Sequence, residues 1–441
     1  MSNNVRSSIQ NVNVGYNVNE IRSIYGYDKL PYIISSNGPE VNICIIIGYS
    51  YPNLQSDLDT FCKLNNIEST TLNIVKVNPN VPSSTSWALE ICLDTQWVHA
   101  ICPYAKITVV EAASDATNDM IDAIKLANSL KPQVINMSWG GGEFQGCESI
   151  DIFNDDILYV ASTGDHNNVE WPSTNPGILA VSATTLLANS SSSGFVSESA
   201  WSSSGCGYSQ YFPEPTYQSN NVLDISTNFR MTSDLSIVGN PDTGCYVYSQ
   251  GQYEIIGGTS LSAPIISGTM AIIAYQRLLN NKTLYNSNPN SPNGIQNILY
   301  NIYGSDKNMY NYLFYDVTQG TSGNYSTMKG YDLPCGLGSP KIETFVPYLV
   351  GDTITPSYKV AVTAHSIIEY SNNDNSTGSA SSVVTVTATS SDIKEKNNIE
   401  ASLISHLEKN LVCDHLLNLV SKDNMATYAY SHEYKTECNR N

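Results

Sequence analysis

The sequence predicts an α/β protein: a doubly wound, mostly parallel sheet with helices on both faces. Three observations predict it. Residues 41–49 (Val-Asn-Ile-Cys-Ile-Ile-Ile-Gly-Tyr) form a near-continuous β-branched run, as in a strand buried on both sides. Strand-like and helix-like segments then alternate through Ala183. Two of the strands stop at glycines, in Ser138-Trp139-Gly140 and Thr163-Gly164-Asp165, and ligand sites of such sheets lie beyond the strand carboxyl ends.

In order along the chain, residues 18–26 read as a short helix and 41–49 as the first strand. Residues 54–64 are helix-like and contain Asp57 and Asp59. Residues 84–101 form a longer helical stretch with hydroxyl residues at its start to cap it and no proline within. Strands follow at 105–112, 133–140, 158–165 and 178–183, with a helix over 120–130. A further helix runs from Ser262, with Pro264 in the first turn where a missing N–H costs nothing. Residues 265–279 are apolar but short, and they carry Ser267, Thr269, Gln276 and Arg277, so they read as a buried helix with no membrane span.

Composition narrows the function. A hydrophobic fraction of 41% supports a sizeable core, and a formal charge of -19 argues against a nucleic-acid surface. The acidic balance suits work at low pH, although solubility explains it as well. Ten cysteines include no CxxC pair and no zinc spacing, and disulfides stay open. The N-terminus, Met1-Ser2-Asn3-Asn4-Val5-Arg6, has no apolar core of a signal peptide, which favours an intracellular or non-classically exported protein.

Two stretches carry the chemistry. In Gly257-Gly258-Thr259-Ser260-Leu261-Ser262-Ala263-Pro264, two glycines allow a tight turn and place a hydroxyl at the mouth of a helix, beside free N–H groups that suit an oxyanion. Taken alone, the same letters could be a glycine turn capped by Ser260 or Ser262. The second stretch is the helix over 84–101. Glu90 and Asp94 share a face with Trp97 and Ile101, flanked by Ile91, Val98, Leu89 and Leu93. Thr95, Gln96 and His99 take the polar side. Acids four apart more often mark a solvated face. At the centre of an apolar face their burial is costly, which points to a site.

Glu-x-x-x-Asp followed much later by Gly-Thr-Ser resembles the sedolisin (serine-carboxyl peptidase) family, which has a subtilisin-like fold. The resemblance runs in matching order over residues 15–348. It includes Ser138-Trp139-Gly140-Gly141, Ala161-Ser162-Thr163-Gly164-Asp165 and Pro241-Asp242-Thr243-Gly244-Cys245-Tyr246. It implies Ser260 as nucleophile, Glu90 as general base, Asp94 as the acid that orients Glu90, and Asp165 as oxyanion donor. It also implies a substrate-binding edge at Ser138, Trp139 and Gly140. A loop like the family's calcium site implies one structural Ca2+ held by Asp316 and Asp332 with the carbonyls of Val317, Met328 and Gly330. The residues themselves also allow a glycine-rich turn with two solvated acids.

Some features depart from the pattern. Ile47 stands where many relatives carry an acid, and the family's long propeptide has no counterpart. Asp242-Thr243-Gly244 spells an aspartic-peptidase signature, but in one copy only. None of the six histidines has a His-Gly context, and His99 and His166 read as surface or rim residues. Residues 1–350 are expected to form the peptidase domain, 351–391 a Ser/Asn/Thr-rich linker with one strand-like piece at 383–386, and 392–441 a helical tail with an amphipathic helix over 399–420. The expected function is a monomeric serine-carboxyl endopeptidase acting on protein or peptide substrates at acidic pH. The alternative is an inactive relative that binds peptides in the same cleft, and four intact catalytic positions weigh against it. A histidine-based hydrolase lacks the Gly-x-Ser-x-Gly elbow.

Overall fold

Eight strands form the central sheet of a computed structural model that describes residues 15–32, 38–189, 194–225, 228–352, 358–372, 377–390 and 425–440. The strands are β1 (Asn42–Gly48), β2 (Asn73–Lys76), β3 (Lys106–Ala112), β4 (Val134–Met137), β5 (Leu158–Ser162), β6 (Ile178–Asn189), β7 (Gly194–Ala200) and β8 (Leu235–Val238). Across the sheet the order is β8-β6-β5-β4-β1-β3-β2, and β7 lies antiparallel on β6. Every other pair is parallel, as expected.

The helices that matter for the site are α1 (Val18–Tyr25), α2 (Leu54–Asn65), α3 (Ala88–Ile101), α4 (Thr117–Ser129), α5 (Thr259–Leu279) and α6 (Ile342–Val350). β1 shows why the sheet is covered on both faces. Ile43, Ile45 and Ile47 enter one core with α3 and α5, while Cys44 and Ile46 enter a second with Met120, Ala123, Ile124 and Ala127 of α4. Alternate side chains of one strand thus feed two cores, which a run without polar residues permits.

α3 and α5 lie close together on the first face. A Cβ at Gly268 would come within 2.8 Å of the Ile101 Cβ, so the contact between these helices requires glycine there. The far end of α5 is anchored as well. Arg277 donates to the carbonyls of Thr283 (2.6 Å) and Leu349 (2.7 Å) and sits 4.1 Å from the centre of the Tyr285 ring.

Arg230 and Asp234 form a fully buried ion pair at 2.6 Å. Tyr300 and the Ala180 N–H also donate to Asp234, so the charge is enclosed by donors.

The described residues beyond Asp352 belong to a separate compact unit, and they are strands where a linker and part of a helical tail were expected. Tyr358–Asn372 and Thr377–Ser390 are long strands, and Met425–Arg440 is a third, all paired antiparallel around the first. The physical reason lies in the sequence: Val383-Val384-Thr385-Val386-Thr387 is β-branched, and β-branching outweighs the serines and asparagines that suggested a linker. The amphipathic helix expected over 399–420 lies outside the described residues. Among the described residues, no helix is long and apolar enough to cross a membrane.

Candidate active site

The nucleophile stretch lies at the N-terminus of α5. The helix begins at Thr259, three residues before the expected start, so Pro264 stands in the second turn. The N–H that proline lacks would have reached the carbonyl of Ser260 four residues back. Gly258 precedes the helix at φ 113°, and a Cβ there would meet the Asp165 Oδ2 at 2.7 Å. Only glycine allows both that backbone and that neighbour.

Asp165 follows β5 and reaches across to the helix mouth. Its Oδ1 accepts the Thr259 N–H (2.8 Å) and the Thr259 hydroxyl (2.9 Å), while the Gly164 N–H donates to the same hydroxyl oxygen (3.0 Å). A carboxyl at a helix N-terminus meets free N–H groups and the positive end of the dipole. With Oδ1 committed, Oδ2 is the oxygen left toward the glycine turn.

α3 supplies the other two acids. Its start has no side-chain cap: Trp87 occupies that position, and the expected hydroxyl cap does not form. The helix also has no polar face. Thr95, Gln96 and His99 are as buried as their apolar neighbours, each tied to backbone. The Thr95 hydroxyl bonds back to Ile91, Gln96 exchanges two bonds with Tyr248, and His99 Nε2 lies 2.7 Å from the Glu68 carbonyl. His99 is therefore a core residue, which corrects the surface reading, and burial lowers its pKa. His166 is exposed, as expected.

Glu90 faces the Ser260 hydroxyl and is flanked by Asp94 one turn on. Its pKa is pushed well up, chiefly by burial and then by the charges of Asp94 and Asp165, while the Ser260 hydroxyl works in the opposite direction. Asp94 is 1% exposed and also pushed up by burial, against hydrogen bonds from Ser138 and Asn136 that pull it down. Two buried carboxyls side by side cannot both ionise cheaply, so the pair retains a proton. Glu90 Oε1 and Asp94 Oδ2 have no other partner.

A chain of hydrogen bonds holds Asp94. Ser267 of α5 donates to Asn136 Oδ1 (2.8 Å), Asn136 donates to the Ser138 hydroxyl (3.0 Å), and that hydroxyl donates to Asp94 Oδ1. The Ser138 carbonyl in turn accepts the Ser260 hydroxyl at 3.2 Å. Ser138 thus touches both halves of the site, and its side chain is committed to Asp94. Trp139 is half-buried and donates to the Ile46 carbonyl, and Gly140 continues the exposed edge. Asn136 and Ser267 escaped the sequence reading. The available signal was a lone polar residue in the apolar run Val134-Ile135-Asn136-Met137, and a serine in the apolar body of α5. Ile47 is fully buried, so no acid extends the network at that position.

The structure brings Asp316 and Asp332 together in a loop with Met328 and Gly330. Asp316 accepts the Gly330 N–H (3.0 Å) and the Tyr310 hydroxyl (3.2 Å). Asp332 accepts the N–H groups of Met328 (3.1 Å) and Cys335 (2.8 Å). Burial, with the neighbouring Asp316 adding to it, pushes Asp332 up to about 7. Among the described residues no group of three or more His, Cys, Asp or Glu could hold a metal, so backbone carbonyls would have to complete any cation site. Two crowded, charge-poor carboxyls with carbonyls nearby are chemically suited to a hard cation.

Comparison with known proteins adds the lineage. The subtilase family model matches residues 82–303, which spans half of the chain and all four candidate catalytic residues. Sedolisin from Pseudomonas sp. (strain 101) is 30% identical over 200 residues, covering 42% of this chain and 31% of that protein. Kumamolisin from Bacillus sp. (strain MN-32) is 27% identical over 303 residues, covering 60% of this chain and 50% of that protein. The chain therefore spans half or less of the length of these curated relatives. The solved structure of Pseudomonas sedolisin, a serine-carboxyl proteinase complexed with two molecules of pseudo-iodotyrostatin, superposes with a TM-score of 0.64 at 23% identity. That match covers 77% of this chain and 98% of that one. By family model this chain belongs to the subtilase family, and its similarity to sedolisin and kumamolisin agrees with the resemblance read from the sequence.

Proposed function

We propose that the chain is a serine-carboxyl endopeptidase that hydrolyses peptide bonds of proteins at acidic pH. The observation that carries the reading is one serine hydroxyl at a helix mouth, with a buried carboxyl pair on one side and a helix-capping carboxyl on the other. Ser260 Oγ attacks the scissile carbonyl carbon while Glu90 takes its proton, and Glu90 then returns that proton to the leaving amine. Asp94, fixed through Ser138, Asn136 and Ser267, orients Glu90 and shares its charge. Asp165 donates a proton-bearing Oδ2 to the oxyanion beside backbone N–H groups at the start of α5. Water then cleaves the acyl-enzyme by the same steps, with Glu90 again as base.

The test compares wild type, Ser260→Ala and Asp165→Ala on an unfolded protein substrate at several pH values. Ser260→Ala should abolish cleavage, and Asp165→Ala should lower kcat by about 10²–10³, the usual loss of one oxyanion donor. Wild type no more active than Ser260→Ala would favour the inactive, peptide-binding alternative.

Asp316 and Asp332, with the carbonyls of Val317, Met328 and Gly330, are proposed to hold one structural Ca2+. A chelator is expected to lower the melting temperature of wild type and to leave that of Asp316→Ala unchanged. Identical wild-type melting curves with and without chelator would remove the ion from this account.

A further inference from the structure

Glu170 is an acid that the proposed mechanism does not use. It begins a two-residue strand, Glu170–Trp171, that pairs antiparallel with Gly141–Gly142 just beyond the Ser138–Gly140 segment. Its carboxyl is inserted between two glycines. A Cβ at Gly140 would lie 2.7 Å from Glu170 Oε2, and one at Gly164 would lie 2.4 Å from Glu170 Cδ. Gly140 stands two residues after Ser138, whose carbonyl accepts the Ser260 hydroxyl, and Gly164 immediately precedes Asp165. The carboxyl therefore closes the space between the two segments that flank the nucleophile. The Glu170 side chain is 17% exposed, so it is not sealed from solvent. His166 Nδ1 lies 4.0 Å from its Oε1, on a side chain 82% exposed to solvent.

We propose that Glu170 ends the subsite for the substrate side chain that precedes the scissile carbonyl, and that it selects lysine or arginine there. The inference rests on the peptidase reading above. A carbonyl held between Ser260 Oγ and Asp165, on a strand added along Ser138–Gly140, directs that side chain into the space between the two glycine-bearing segments. Neither Gly140 nor Gly164 presents a side chain to stop a long stem. Lysine and arginine bury their methylene stems and deliver a charge at the tip, here to a carboxyl. Burial and the nearby Asp165 push the Glu170 carboxyl up from its usual range. Negative charge at this position is thus short of compensation, and a cation relieves it. The formal charge of -19 also gathers cationic peptides.

Two peptides, identical except for lysine or norleucine before the scissile bond, test the inference. At the highest pH at which wild type turns over, kcat/KM should favour lysine by about 10- to 100-fold, the usual range for a hydrogen bond to a charged group. Glu170→Gln should remove the preference for lysine over norleucine. Calorimetric binding of both peptides to Ser260→Ala near neutral pH gives a readout without catalysis. The lysine peptide should bind more tightly by a similar factor, and the advantage should vanish in Ser260→Ala/Glu170→Gln. Equal cleavage of both peptides by wild type, or a lysine preference that survives Glu170→Gln, overturns the assignment of Glu170. Selective binding of the lysine peptide with no cleavage by wild type would instead overturn the peptidase reading and leave the subsite in place.

Discussion

Glu90→Gln is expected to lower kcat by about 10⁴-fold, the upper range for losing a general base, with little change in KM. Glutamine fills the same space and can still accept the Ser260 hydrogen bond, so substrate binding and the fold around α3 should persist. It cannot take the proton. The shape of the residual pH profile is the sharper readout. In wild type the Glu90–Asp94 pair must lose one proton before Ser260 can be activated, so the rate rises with pH through the first apparent value of the pair. In Glu90→Gln the ascending limb should flatten, because the group that produces it is gone. A variant that keeps full activity, or a wild type equally fast at about pH 4 and about pH 8, the two sides of the unperturbed carboxylate range, would rule out carboxyl chemistry.

Folding stability is expected to fall as pH rises from about 4 towards neutrality, opposite to the usual behaviour of acid-labile proteins. The sign follows from the buried acids. Glu90, Asp94, Glu170 and Glu198 all have pKa values raised chiefly by burial. The native state therefore binds more protons than the unfolded chain over this range, and stability drops with each unit of pH. The contribution is fully present below the unfolded carboxylate values and is lost through the raised native ones. His99 works the other way: its pKa is lowered by burial, so it costs stability only as pH falls below its unfolded value. These acids outnumber the one histidine, so the acid side is favoured. The measurement is the melting temperature against pH with a chelator present, so that Asp316 and Asp332 titrate as free acids. A melting temperature that climbs steadily from about pH 4 to neutral would contradict the burial of these carboxyls.

Much of this site was legible because its residues obey local patterns. The β-branched run of β1, the glycine turn before α5 and the acids one turn apart on α3 each follow from neighbours within a few positions. The rest depended on contacts between distant segments. β2 and β8 have four residues each, too short for a periodic signal to separate them from loop. His99 was misplaced because α3 is enclosed on every side, so a projection into polar and apolar faces had no physical counterpart. Its polar residues are satisfied by the backbone of the hairpin at Tyr248 and by Glu68, and neither can be read from the helix itself. Glu170 lies five residues after Asp165 in a loop-like stretch, and only the pairing of Glu170–Trp171 with Gly141–Gly142 turns it into the cleft.

The helix α5 joins three places that a sequence treats as separate. Its first turn carries Ser260, its third turn carries Ser267 beneath the support of Asp94, and its last turn carries Arg277, tied to the Leu349 carbonyl of α6. At about 1.5 Å per residue it acts as a rigid rod some 30 Å long, wedged against α3 at Gly268. A small tilt at the Arg277 end would therefore swing the hydroxyl at the other end, while the Asp94 support, nearer the Gly268 fulcrum, would move less. Nucleophile and base would drift out of register with no residue near either having changed. Distance from the chemistry gives residues along this lever no immunity, because the remote anchor sets the alignment at the other end.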